Sequence, residues 1–148
     1  MTVTDASPLI KTRALTCSAE HAFDVFVDRI AEWWPLVPHS VFGAASRGVV
    51  LEPGVGGRIV ETGPAGEESV WGTLTDWQPR TRLAFTWHPG AEPGTATWVQ
   101  VTFTPEGQGS LLTLSHEGWE RPQVTSTREG YDRGWPVVLD AYAGRVIR

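Results

Sequence analysis

The sequence predicts an α+β domain in which a curved antiparallel sheet of six to seven strands wraps around a long C-terminal helix. Three observations predict it. Between Gly48 and His116, segments of strand character recur at about 8–12-residue spacing, parted by Gly- and Pro-rich turns. Helical patterns flank this run, a short one before it and a longer one after it. A sheet with one apolar face must cover that face, and the C-terminal segment is the only long amphipathic element available.

The elements follow in order. Residues 1–8 are small and polar, end in Pro8, and are expected to be a flexible lead-in to one domain over residues 9–148. Leu9 to Cys17 alternates weakly and is expected to be the first strand. Ser18 is a good N-cap, and Glu20 in the first turn complements the helix dipole. Phe23, Val27, Ile30 and Trp34 then fall on one helical face, with Asp28-Arg29 marking a break into a second short helix before Pro35. Residues 35–47 form a loop. Strands are expected over Gly48–Glu52, Arg58–Thr62, Ser69–Trp77, Arg82–His88, Ala96–Thr104 and Ser110–His116. The turn Glu106-Gly-Gln-Gly109 joins the last two as a hairpin. Tyr131, Trp135, Leu139, Tyr142 and Val146 form the stripe of the closing helix, and Pro136 is expected to kink or restart it.

Composition narrows the function classes. The chain has 148 residues and a net charge of −5, with a single lysine, Lys11, and scattered arginines. That balance argues against nucleic acid or an anionic membrane as a partner. Cys17 is the only cysteine, so no intramolecular disulfide forms and a reducing, cytoplasmic setting is expected. Met1 to Thr16 has no apolar core of a signal peptide, and no apolar run approaches the roughly 18 residues of a membrane helix. The oligomeric state is left open.

Eight tryptophans in so short a chain are the strongest functional signal. Indole is large, flat and mostly apolar, with one N–H that seeks a partner when buried. This surplus suits a protein that encloses a small apolar or aromatic molecule between the sheet and the C-terminal helix. Trp34, Trp71, Trp119, Tyr131 and Trp135 are the candidate ligand-binding residues; the alternative for each is core packing. Trp87 alternates with Leu83 and Phe85 and reads as core.

Catalytic signatures are sparse. His116 ends the strand pattern Leu112-Thr-Leu-Ser-His116, so it faces inward if Leu112 and Leu114 do. It then either meets a ligand as acid, base or hydrogen-bond partner, or is held by a backbone carbonyl. Glu61 shares a strand face with Ile59 and is either a carboxylate in the apolar cleft or an exposed edge charge. Together they are the one candidate acid/base pair. His21, His39 and His88 have no metal-ligand spacing, so no metal is expected. Gly54-Val-Gly-Gly57 is followed by no helix and reads as a hairpin turn, not a dinucleotide loop, so no cofactor is expected.

Several stretches carry a family resemblance. They are Trp33-Trp34-Pro35 with His39-Ser40; Leu51-Glu52-Pro53 leading to Gly56-Gly57-Arg58; and Glu61. Further along come Trp71-Gly72, Pro79-Arg80, Leu83-Ala-Phe-Thr-Trp87 and Val101-Thr-Phe-Thr-Pro105, then His116, Gly118-Trp119 and Gly134-Trp135. With the element order, they make the chain resemble the START-like (SRPBCC) superfamily, in the branch related to the C-terminal domain of Hsp90 ATPase activators. The resemblance spans residues 9 to 147 and implies the helix-grip fold. That superfamily includes lipid carriers, hormone receptors, polyketide cyclases and a co-chaperone. The resemblance therefore implies three readings: a binder of small hydrophobic ligands, a cyclase- or dehydratase-like enzyme using Glu61 and His116, or a protein-interaction module.

Overall fold

A computed structural model describes residues 6–146. Residues 1–5 of the expected lead-in lie outside these. Seven strands form one antiparallel sheet: β1 (Leu9–Leu15), β2 (Gly48–Leu51), β3 (Arg58–Thr62), β4 (Glu68–Gln78), β5 (Arg82–Trp87), β6 (Thr97–Glu106) and β7 (Gly109–Glu117). Their order across the sheet is β1-β7-β6-β5-β4-β3-β2. Four helices accompany it: α1 (Ala19–Asp28), α2 (Ile30–Trp33), α3 (Pro122–Thr125) and α4 (Arg128–Val146).

The alternation that marked the strands becomes the inner face. Leu112, Leu114 and His116 of β7 stand opposite Phe103, Val101 and Val99 of β6. Val101 and Val99 in turn face Leu83 and Phe85 of β5. All are buried. Removing each of the aliphatic and phenyl side chains among them from water contributes about 1.5–3 kcal/mol. Ser18 caps α1 by accepting from the His21 backbone N–H at 3.1 Å. The helix buries Phe23 and Phe26, whose rings meet Phe103 at 5.5 and 5.7 Å.

Two irregularities aim side chains that simple alternation would misplace. Ile59 and Val60 are adjacent on β3 but pair with Gly72 and Val70, so Trp71 is an extra residue on β4. This bulge lets Ile59, Val60 and Glu61 all be buried in succession. Gly72 is required beside it, because a Cβ there would lie 1.7 Å from the Thr86 carbonyl oxygen. A second bulge sets Thr75 between the pairs Leu74–Phe85 and Asp76–Ala84.

The C-terminal helix does not restart at Pro136. Pro136 lies inside α4, which runs from Arg128 to Val146 without interruption. Proline removes the N–H that would meet the Asp132 carbonyl, and its ring crowds that carbonyl. The helix is held on both sides of that point: Lys11 pairs with Asp132 and Arg13 with Asp140, tying it to β1. Trp135, Val138, Leu139, Tyr142 and Val146 are buried against the sheet.

Candidate functional site

The gap between α4 and the sheet is not filled along its whole length. At one end it opens into a cavity of about 660 Å³. This lies within the roughly 300–1,000 Å³ typical of small-molecule sites. Strands contribute Trp71 and Trp87, the loop after α2 contributes Trp34 and His39, and α4 contributes Tyr131 and Trp135.

Four indoles make the walls. Trp34 stands 5.1 Å from Trp71 and 5.8 Å from Trp87, and Trp87 stands 5.6 Å from Trp135. Three of their N–H groups are committed to the protein. Trp34 donates to the His39 carbonyl at 2.6 Å, Trp71 to Glu61 Oε1 at 3.3 Å, and Trp135 to His116 Nδ1 at 2.9 Å. The fourth, Trp87 Nε1, is buried and has no hydrogen-bond partner.

Glu61 and His116 are both fully buried, and neither lines the cavity. The two Glu61 oxygens accept from the backbone N–H groups of Val41 at 2.8 Å and Phe42 at 3.2 Å. The carboxylate thus clamps the loop that forms one lip of the cavity. His116 receives the Trp135 N–H at Nδ1, so in its neutral form the proton sits on Nε2, 2.6 Å from Thr97 Oγ1. The Thr97 hydroxyl continues the chain by donating to the Trp87 carbonyl at 3.3 Å. Burial pushes the His116 pKa down to about 3, so the ring is neutral near pH 7. Parity placed both side chains inward, as the sequence suggests, but the pair does not meet in a shared ligand space.

Of the expected wall residues, Trp34, Trp71, Tyr131 and Trp135 line the cavity. Trp119 does not. It is packed against His116 with ring centroids 4.2 Å apart, and its N–H donates to the His116 carbonyl at 2.8 Å. Trp135 reaches the cavity from within a continuous stretch of α4. Trp87, expected as core, is both buried and a wall. His39 was also missed. Its ring lies against α4, where a Cβ on Gly134 would stand 3.6 Å from His39 Cε1.

Beside Tyr131, the lining carries the polar side chains His39, Ser40, Ser126, Thr127, Glu129 and Arg133. Glu129 and Arg133 are exposed at the mouth, while Tyr131 is half-buried. Burial raises the Tyr131 phenol pKa, and the nearby Trp87 N–H offsets part of that rise. Among the described residues, no three His, Cys, Asp or Glu side chains gather to hold a metal ion. Among the same residues, no helix is long and apolar enough to cross a membrane.

Comparison with known proteins agrees with this architecture. Protein MLL2253 from Mesorhizobium loti superposes with a TM-score of 0.71 at 19% identity, covering 95% of this chain and 96% of that one. The Aha1 dimer from Colwellia psychrerythraea gives a TM-score of 0.68 at 13% identity, covering 95% and 96%. Txn09, an anthrahydroquino-γ-pyrone synthase, is 35% identical over 78% of this chain and 79% of its own, with a TM-score of 0.56. No curated protein gives a significant match. The model of the family described as activator of Hsp90 ATPase homolog 1-like protein matches residues 16–144, and the chain belongs to that family.

Proposed function

We propose that this protein binds a small, flat, largely apolar molecule in the cavity between α4 and the sheet. The observation that carries the reading is the cavity of about 660 Å³ walled by Trp34, Trp71, Trp87 and Trp135. An aromatic lining suits a planar guest, which gains by offset or edge contacts with the rings. Each Å² of apolar surface removed from water contributes about 25 cal/mol before the costs of association are subtracted. Tyr131 completes the wall from the helix side, and Glu61 acts indirectly by fixing the lip at Val41 and Phe42. Titration with tricyclic aromatics, followed by tryptophan fluorescence, tests it. Saturable quenching or a spectral shift is expected; a flat response to every compound contradicts it.

The identity shared with the synthase Txn09 favours a second reading, in which the bound molecule also reacts. Glu61 and His116 would have to leave their present bonds to take part, whereas His39 and Tyr131 already border the cavity. Mass spectrometry of a bound tricyclic separates the readings: an unchanged mass after long incubation supports a carrier, a changed mass a synthase-like activity. The interaction-module reading gains less support. The large exposed apolar side chains on strands, Ile10, Val50 and Trp98, sit on three different strands, and the Arg121 guanidinium covers the Trp98 ring at 5.1 Å.

A further inference from the structure

We propose that the Tyr131 hydroxyl, backed by the Trp87 indole N–H, is the polar recognition point of the cavity, and that the ligand is a flat ring system bearing a carbonyl-type acceptor oxygen. This rests on the ligand-binding reading above. Trp87 is 4% exposed, and its Nε1 is sealed from solvent with no partner. Buried N–H donors are nearly always paired, so one left open beside a cavity marks a place where a partner arrives.

The Tyr131 phenol is the group next to it. The Trp87 N–H lies close enough to that oxygen to favour its anion, yet makes no hydrogen bond of normal geometry to it. No described residue accepts the Tyr131 proton. A phenol both donates and accepts, whereas an indole only donates. When the Tyr131 oxygen takes the Trp87 proton donor, its own O–H is left to point outward. The pair therefore presents a donor to the cavity and selects an acceptor. The N–H groups of the other three wall indoles are already bonded, so among the indoles only Trp87 has a donor to share. A cage of indole faces also attracts cations. Here the outward Tyr131 O–H presents its positive end and opposes one, and both oxygens of the buried Glu61 are already bonded.

Calorimetric titration of the full chain with 9-fluorenone and fluorene tests this, because the two share a tricyclic skeleton and differ by C=O against CH2. The expected result is fluorenone binding about tenfold tighter than fluorene, since a site built around an open donor discriminates against a ligand that leaves it unpaired. Tyr131→Phe, which removes the donor, should cut the preference to about twofold, with a larger loss for fluorenone than for fluorene. Trp87→Phe should narrow the same ratio; a merely structural role for Trp87 would weaken both compounds alike. Equal wild-type affinities would overturn the acceptor rule while leaving ligand binding intact. A preference that survives Tyr131→Phe would overturn it too, as would tighter binding of 10-methylacridinium than of fluorenone. Failure of both tricyclics to bind would overturn this inference together with the binding reading.

Discussion

Adjacent tryptophans serve two different compartments. Trp33 closes α2 and turns into a sealed cluster with Phe26 and Tyr142, each ring centroid 5.0 Å away. Trp34 leaves the helix with an extended backbone and turns to the cavity. Both compartments are aromatic and both lie between α4 and the sheet. They differ in how their polar tips end. In the sealed cluster, Trp33 Nε1 donates to the Val25 carbonyl at 3.2 Å, and the Tyr142 hydroxyl to the Ala22 carbonyl at 2.5 Å. In the open one, Trp87 Nε1 has no partner. Aromatic richness alone therefore does not mark a binding site; unfinished polar accounting beside a void does.

The largest expected effect breaks the sealed side. Phe103→Ala removes the ring on which Phe23 and Phe26 pack, and should lower stability by about 3–5 kcal/mol. Urea unfolding measures it, and a loss below about 1 kcal/mol would mean the cluster is loosely packed. Next comes the Glu61 clamp. Glu61→Ala leaves the Val41 and Phe42 N–H groups and the Trp71 indole without their acceptor and should cost about 2–3 kcal/mol. Hydrogen exchange at Val41 and Phe42 should quicken in that variant.

Acid probes the seam between the compartments. The folded His116 pKa, about 3, lies below its ordinary value of 6.5. The unfolded chain therefore takes up the proton first as pH falls. The contribution of this group is complete above pH 6.5 and is lost progressively between about 6.5 and 3. Stability should be about 2 kcal/mol lower at pH 5 than at pH 7.5 from this group alone. His116→Gln should flatten that part of the profile, and an unchanged slope would contradict the assignment.

The smallest effect sharpens the contrast most. Tyr142→Phe strips the donor from a buried carbonyl and should cost about 1–2 kcal/mol, whereas Tyr131→Phe, three turns away on α4, should cost under about 0.5 kcal/mol. Equal costs would show that the Tyr131 hydroxyl has a structural partner.

Much of the fold was legible because its cues are local. The Ser18 cap, the break at Asp28-Arg29 and the alternation through Val99, Val101 and Phe103 each depend on residues a few positions apart. The site was less legible because parity says inward or outward and nothing about depth. Glu61 and His116 are inward, yet they finish inside bonded networks behind the cavity wall. Trp87 shares its parity with Leu83 and Phe85 but stands at the strand end, where the sheet meets the void. His39 lies on a loop, where no periodicity operates, and only the approach of α4 gives it a place at the mouth. The Trp71 bulge, likewise, follows from pairing between strands, which no single segment encodes.

The most direct test reads the indole N–H signals one by one by nuclear magnetic resonance while fluorene is added. Shifts are expected to concentrate at Trp34, Trp71, Trp87 and Trp135, with Trp33 and Trp98 unmoved. Shifts centred on Trp33 or Trp98, or no shift at any of the eight, would contradict it.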